Sequence, residues 1–407
     1  MRVTQSMLTN GNLKYINQNY GRYSKIMDQI NSGKKINRPS DDPVVAMKGM
    51  RYRTEVIEVK QFQRNLNEGF NWMENSDAAL DEAGSVLQRI RELAVQASND
   101  SYGEEERKNI SKEIERLQEH IVALANTKIG DNYIFNGTDT TNPPINLGDV
   151  NLDVNEFINN VNTPPTDFKL EDYAIGYKGQ TFKYDATIGS FVVKPIVEFD
   201  NPDYDPNDAS KGPEKFPKPT EGIKIENDGT ITHTRLETFP ELNGELKEMS
   251  KKLEDSNNLV ISKTTAASTN DQNVKIEIMK GVTIPINTKS SKAFSVELFT
   301  GLESVKKLLN DPTAESAEIT KAIDLIGGFL DDIVATRAEL GAQVNRMEMV
   351  ENRLLQQEVI ANKTMSDNED IDFERVIVDL KTQESLHRAS LAAGARIIQP
   401  TLMDYLR

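Results

Sequence analysis

Apolar positions near the start of the chain recur at the spacing of a coiled-coil seam. Leu13, Ile16, Tyr20, Tyr23, Met27 and Ile30 stand 3-4-3-4-3 residues apart, which places them on one narrow stripe of a helix. Asn31-Ser32-Gly33 ends that helix, and Pro39-Ser40-Asp41-Asp42-Pro43 supplies a turn and an N-cap signal with proline near the first helical position. A long helix follows from about Val44 to Asn99. Its seam runs Val56, Val59, Gln63, Leu66, Phe70 and Met73, slips frame near Asp77, and continues through Leu80, Ala83, Leu87, Ile90, Ala94 and Ala97. Such a slip overwinds a coiled coil locally without ending it. After the turn at 99–103, a third helix carries Ile110, Ile114, Leu117, Ile121 and Leu124, and stops near Gly130.

From about 133 to 295 the pattern changes. Pro, Gly, Asn and Asp punctuate short β-favouring runs at Gln180–Tyr184, Ser190–Val193, Val274–Ile278 and Val282–Ile286. One helical stretch is expected near Leu242–Glu254. Helix returns after about Ala293 and dominates from Ala314 to roughly Asn362, where Ile319, Ile323, Ile326, Leu330, Ile333, Arg337, Leu340, Val344, Met347, Glu351 and Leu354 hold one heptad frame. An acidic break at Asp367–Asp372 precedes a terminal helix with Phe373, Val376, Ile377 and Leu380, then a weaker stripe through Leu386, Ala389 and Ala393 to Ile397, Leu402 and Leu406.

The reading is therefore mainly α with an inserted β-rich (α+β) domain, in which coiled-coil terminal helices accompany a helical-bundle domain. The terminal segments are 1–45 and 365–407, the bundle 46–145 and 291–364, and the insert 146–290. The seams at 56–97 and 319–354 are expected to pack against each other and the 110–124 helix. The outlying seams have no evident partner except each other or another subunit. Leu13, Ile16, Tyr20, Tyr23, Met27, Ile30, Phe373, Ile377, Leu380, Leu386, Ile397, Leu402 and Leu406 are thus the candidate subunit-interface residues.

Helix propensity at the start is poor, since positions 1–31 include five Asn and two Gly. Each costs a helix several tenths to about 1 kcal/mol relative to Ala. A narrow stripe over roughly 30 residues buries too little to offset an ordering cost of about 1–2 kcal/mol per residue. Both ends are therefore expected to be disordered in the isolated chain and to fold on assembly. The alternative is two helices packed on the rest of a monomer.

Charge narrows the partners. The net charge is −16, yet residues 1–53 hold ten Lys/Arg against three acids, a local +7 that leaves −23 for the remainder. Nucleic acid is excluded, because neutralising phosphates needs a basic face. The apolar stripe of the basic segment favours a partner helix over an anionic membrane. The absence of cysteine removes disulfides, thiol nucleophiles and thiolate metal sites. No apolar run approaches the ~18 residues of a membrane span, and the first residues lack the apolar core of a signal peptide.

Three stretches carry a resemblance. Ile30–Ala46, with Arg38-Pro39-Ser40-Asp41-Asp42-Pro43 at its centre, resembles the turn between the first two helices of flagellin-like proteins. Leu87–Ser98 is shared in style across that family, and Gly130–Thr138 has Tyr133-Ile134-Phe135 in the manner of its hook–filament junction members, the hook-associated protein 3 group. Ile397–Arg407 is similar to the family's terminal helix. The likeness covers 1–145 and, more loosely, 315–407.

The resemblance implies a structural subunit of the bacterial flagellum and not an enzyme. It implies coaxial terminal helices, a helical-bundle second layer and an outward domain. It further implies export through the flagellar type III channel, with a chaperone on the C-terminal segment, and a place between hook-associated protein 1 and the flagellin filament, beside copies of itself in a ring. A filament flagellin, or an adhesin role of the insert, are the alternatives.

Candidate chemistry is sparse. His120, His233 and His387 are far apart in sequence, and helix-surface or seam packing is the default for each. No catalytic, cofactor-binding or metal-ligating residue is assigned. Asp203–Glu214 puts oxygens at positions 1, 3, 5 and 12 of a calcium loop, but Asp208 replaces the glycine at position 6 and Pro206 and Pro213 interrupt it. An acidic, proline-rich surface loop is the favoured reading. Acidic residues of the insert are too common for spacing alone to pair them as in an enzyme.

Overall fold

The computed structural model describes residues 5–99, 102–193, 196–200, 215–219, 221–226, 230–239, 245–253 and 258–398. Its helices are α1 (Gln5–Ser32), α2 (Pro43–Ala97), α3 (Glu104–Ala125), α4 (Val154–Asn162), α5 (Ser290–Ala293), α6 (Val296–Asn310), α7 (Ser316–Glu369) and α8 (Phe373–Ile398), with a β-rich stretch between α3 and α5. The chain divides into two compact units, one of Met1–Asn65 with Met349–Arg407 and one of Leu66–Glu348.

In the larger unit the heptad pattern of α7 does what its spacing requires. Ile319, Ile326, Ile333, Leu340 and Met347, each seven residues from the last, are all buried. They meet α2, whose Leu66, Met73, Leu80, Leu87 and Ile90 are also removed from water. Arg337 sits in the same stripe as a polar lapse, and the facing helix answers it: Nε donates to Asp77 Oδ1 at 3.0 Å and the guanidinium also holds Asp81. Helix α3 lays Ile110, Ile114 and Ile121 inward and packs on α6, where Asn310 Nδ2 donates to Ser111 Oγ at 3.0 Å.

The middle contains β3 (Tyr173–Tyr177), β4 (Gln180–Asp185), β5 (Ser190–Val192), β8 (Glu221–Ile225), β9 (Ile231–Phe239), β10 (Glu245–Lys252) and β11 (Leu259–Lys263). These form one antiparallel sheet in the order β10-β9-β8-β5-β4-β3-β11. Separate hairpins join β1 (Lys128–Ile129) to β2 (Asn132–Tyr133), β6 (Ile196–Asp200) to β7 (Lys215–Pro219), and β12 (Lys275–Met279) to β13 (Val282–Pro285). Alternation sorts the two faces of the sheet. Ile175, Tyr177, Phe182, Phe191, Ile223, Leu259 and Ile261 make an apolar cluster capped by Phe157 of α4. The other face receives α6 and carries smaller groups such as Ala174 and Gly176.

Two expectations are corrected. The helix expected at Leu242–Glu254 is strand β10 where it is described, paired to β9 from Glu245↔Phe239 to Lys252↔Thr232. The spacing of Leu246, Met249 and Leu253 suited a helix, but a stripe needs something to bury against, and Met249 stays 51% exposed. The adjoining strand satisfies the backbone instead. Conversely, α4 arises inside a stretch that reads as β-favouring. Asp153 caps it by accepting from Asn155 N at 2.7 Å and Glu156 N at 3.2 Å. Phe157, buried against the sheet, anchors it.

The turn between β3 and β4 fixes the sheet against α7. Gly179 has φ +71°, and a Cβ there would lie 2.6 Å from Ala322 Cβ. Its N–H donates to Ser304 Oγ at 2.9 Å, and the preceding Lys178 pairs with Glu318. Gly179→Ala combines a left-handed backbone with a clash, and is expected to cost about 2–3 kcal/mol. Urea denaturation checks this, and an unchanged midpoint would show that the turn is not locked.

Candidate assembly interface

The smaller unit is built from α1, the first part of α2, the last part of α7, and α8. Its joints are short and capped. Gly33, at φ +68°, ends α1. Asp42 Oδ1 accepts from Val44 N at 3.0 Å and Val45 N at 3.1 Å, so it caps α2 with Pro43 in the first turn. Asp372 caps α8 through Arg375 N at 3.2 Å.

The loop after α1 and the break before α8 are bonded to each other. Lys35 N donates to Glu369 O at 2.7 Å and Ile371 N to Gly33 O at 3.1 Å, an antiparallel bridge centred on Lys34 and Asp370. Side chains reinforce it. The Glu369 side chain is only 6% exposed, and Arg53 grips it with both branches, Nε to Oε1 at 2.7 Å and Nη2 to Oε2 at 2.6 Å. Lys34 Nζ lies 2.6 Å from Asp370 Oδ1 and 3.4 Å from Glu369 Oε2. Asn368 Nδ2 adds a bond to Val45 O at 3.1 Å. Gly49 makes the approach possible, since a Cβ there would meet Glu369 Oε1 at 2.7 Å.

The Arg53 hydrogen bonds hold the Glu369 carboxyl below the usual range, with Lys34 assisting. Lys34, then Ser366, do the same for Asp370, while Asp370 chiefly holds the Lys34 ammonium above its ordinary value.

Helices α1 and α8 lie against each other. The middle of their seam is polar: Asn19 Nδ2 donates to Ser390 Oγ at 2.9 Å, and the buried Gln383 donates Nε2 to Asn19 O at 3.3 Å. Of the candidate interface residues, Ile16, Tyr23, Met27, Ile30 and Leu380 are half-buried. Leu13, Tyr20, Phe373, Ile377 and Leu386 are exposed, although Tyr20 stacks obliquely near His387 at 6.1 Å between ring centroids. The Ile397 side chain, Leu402 and Leu406 lie outside the described residues.

Further large apolar side chains stand in water on all four helical segments of this unit. Tyr15 on α1, Met47, Met50 and Ile57 on α2, Val359 and Ile360 on α7, and Val378 and Leu391 on α8 are all exposed. Scattered exposed apolar residues are ordinary, and here they recur on every helical segment of one unit. The seam arithmetic missed them because they sit off the stripe. It also missed the Glu369 clasp, whose signals were a glycine inside a helix at 49 and an acidic break in a chain with a basic start.

The other candidates resolve into packing. His120 Nε2 is 2.8 Å from Glu82 Oε1, and His233 lies 3.4 Å from Glu221 among the rings of Tyr177 and Phe182. Among the described residues no group of three or more His, Asp or Glu is arranged to hold a metal ion. No described helix is long and apolar enough to cross a membrane. The Asp203–Glu214 loop lies outside the described residues.

Residues 3–140 match the bacterial flagellin N-terminal helical region, and residues 323–406 match the bacterial flagellin C-terminal helical region. A flagellin of Clostridium tyrobutyricum is 32% identical over 127 residues, 31% of this chain and 34% of that protein. The chain spans about a third of the length of that relative. Flagellin B of Vibrio anguillarum is 24% identical over 398 residues, 95% of this chain and 93% of that one. A solved structure from Vibrio parahaemolyticus, described as a flagellar hook-associated protein, superposes with TM-score 0.49 at 13% identity, over 81% of this chain and all of the other.

The clasp gives a pH signature. Because the Glu369 and Asp370 pKa values are lowered on folding, their contribution is present above the unfolded values of about 4.3 and 3.9 and is lost as pH falls through the lower folded values. The raised Lys34 contributes below about 10.4 and is lost as pH rises through its higher folded value. Stability from the clasp should therefore be flat near neutrality and fall away below about pH 4. Arg53 is 60% exposed, so solvent screening limits the pair. Glu369→Gln is expected to cost about 1–2 kcal/mol at neutral pH. Thermal melts of both proteins across pH check this. The variant should show a shallower acid limb, and identical limbs would remove the clasp from the account.

Proposed function

We propose, on the premise that this chain belongs to the flagellin family of structural flagellar subunits, that it is the junction adaptor between hook-associated protein 1 and the flagellin filament. The observation that carries the junction reading is local: Arg38–Pro43 and Tyr133-Ile134-Phe135 stand in the style of the junction proteins at two separate places. The Arg38–Pro43 stretch is also where the chain builds the capped turn between α1 and α2. An adaptor must present two faces to different neighbours, and the smaller unit exposes apolar side chains on each of its four helical segments.

In this reading the terminal segments 1–45 and 365–407 acquire their final packing beside neighbouring subunits, including copies of the chain in a ring. Their polar, thinly apolar α1–α8 seam supports it, because such a pair gains little from its own burial. Ends that remain loose before assembly also suit export through the flagellar type III channel, with a chaperone covering the C-terminal segment. A filament flagellin is the second reading, favoured by the alignment to Vibrio anguillarum flagellin B across nearly the whole chain.

Loss of the gene product separates the two. A missing adaptor leaves finished hooks without filaments and flagellin shed into the medium, and hooks that still carry filament would reject the adaptor role. Within the interface, Ile377→Asp and Leu386→Asp alter exposed positions and are expected to change stability by no more than about 0.5 kcal/mol. Both should nonetheless abolish incorporation into the flagellum, measured by immunoblot of purified hook–filament preparations. Normal incorporation would remove these residues from the interface.

A further inference from the structure

The antiparallel sheet of the larger unit treats its two edges differently. At the β11 edge the outward carbonyls are taken: Leu152 N donates to Ile261 O at 2.7 Å, and Lys307 Nζ donates to Leu259 O at 2.7 Å. At the other edge no described strand lies beyond β10. Leu253 N donates to Ile231 O at 2.9 Å, one step past the Lys252↔Thr232 pair. Hydrogen-bonded and non-bonded pairs alternate along an antiparallel ladder, so Lys247, Met249 and Lys251 turn their N–H and C=O toward β9. Leu246, Glu248, Ser250 and Lys252 therefore turn theirs outward. Such a row is a template for another strand.

Lysines on an edge ordinarily repel an incoming strand. The order of charges along β10 makes a second copy of β10 an exception, in one register. When two antiparallel copies join through their outward groups, the twofold axis passes through a residue. An axis at Glu245, Lys247, Glu248, Lys251 or Lys252 sets that charge against itself, and one at Met249 sets Lys247 opposite Lys251. An axis at Leu246 pairs only the short stretch from Glu245 to Lys247. An axis at Ser250 sets no like charges opposite: Glu248 stands against Lys252 on both sides of it, Met249 against Lys251, and Ser250 against itself. Within the sheet, Glu248 is opposite Leu236 and Lys252 opposite Thr232, so β9 offers neither an opposite charge across the ladder. Ser250 and Lys252 are exposed.

We propose that two copies of this chain pair antiparallel through their β10 edges, with the twofold axis at Ser250. Glu248, Ser250 and Lys252 of each copy exchange about six main-chain hydrogen bonds with Lys252, Ser250 and Glu248 of the other. Such a contact closes after two chains and does not build a ring, so it is separate from the apolar surfaces of the smaller unit. It covers an edge that would otherwise recruit unrelated strands. Residues 248–252 on each side fall short of the ~1,000 Å² of a stable interface, so the dimer is weak and concentration-dependent.

Sedimentation of the full chain over a rising concentration series tests this. Glu248→Lys and Lys252→Glu should each weaken dimerisation at least about fivefold, because like charges then stand opposite. An equimolar mixture of the two should regain it, since every pair across the axis is then opposite in sign. Ser250→Pro removes an N–H that β9 does not use, and should abolish the dimer with the thermal melt retained. The chain has no cysteine, so Ser250→Cys reports on the axis directly. Hydrogen-bonded residues directly opposite stand about 5.5 Å apart at Cα, within disulfide reach, whereas Lys252→Cys would lie at least about 13 Å from its counterpart. In oxidised glutathione the first should cross-link to a dimer and the second should not. The proposal falls if the parent stays monomeric at millimolar chain, if the mixture does no better than either charge variant, or if the two cysteine variants cross-link alike. A dimer untouched by Ser250→Pro but lost with Leu386→Asp would also overturn it, and would assign the contact to the terminal helices.

Discussion

A carboxylate nearly out of water at the end of a helix is in an unfavourable place twice over. Burial removes the solvent that stabilises its charge, and the helix C-terminus already carries partial negative charge. Glu369 occupies that position as the last residue of α7. It is tolerable because Arg53 and Lys34 bring positive charge to it, and because Gly49 leaves room for the side chain to reach them. Part of the basic surplus in the first 53 positions is therefore structural. The same residue also joins the two ends of the chain through its backbone, since its carbonyl accepts the Lys35 amide. Charge and main chain act at one point, so the turn after α1 and the entry to α8 are positioned together.

The two compact units handle apolar surface in opposite ways. In Leu66–Glu348 the periodic positions of α2, α3 and α7 are closed against each other, and the sheet buries one face under α4 while the other receives α6. Polar lapses inside that core are answered locally, as Arg337 is by Asp77 and Asp81. The unit containing α1 and α8 leaves large side chains in water on every helix it has. A folded monomer gains nothing from that arrangement, whereas a subunit with neighbours recovers the burial when they arrive.

Legibility in the sequence followed the length of the periodic signal. Seven-residue spacing over α7 and the slipped seam of α2 specified both helices and their buried faces, because no strand or loop sustains such a stripe over many turns. Short signals failed. Leu246, Met249 and Leu253 made a helical stripe too brief to outweigh the pairing of β10 with β9, and α4 rested on one capping aspartate and one phenylalanine inside a β-favouring stretch. The clasp was hidden by its separation along the chain. Lys34 and Arg53 stand near one end of the sequence and Glu369 near the other, and only the fold brings them together. Motif likeness at 38–43 marked the location without revealing the chemistry.

The polar centre of the α1–α8 pair follows from the same logic. A wholly apolar seam would hold the two helices tightly and would also let them slide by one heptad, since each turn would resemble the next. Asn19 bonds both Ser390 and Gln383, which stand one heptad apart on α8, so a one-heptad slide would lose at least one of the two contacts, and the Gln383 amide is buried. Affinity within the pair is given up for a defined alignment. The alignment fixes where Leu13, Ile377 and Leu386 emerge on the surface, which in the proposed adaptor is the place where a neighbouring subunit would meet them.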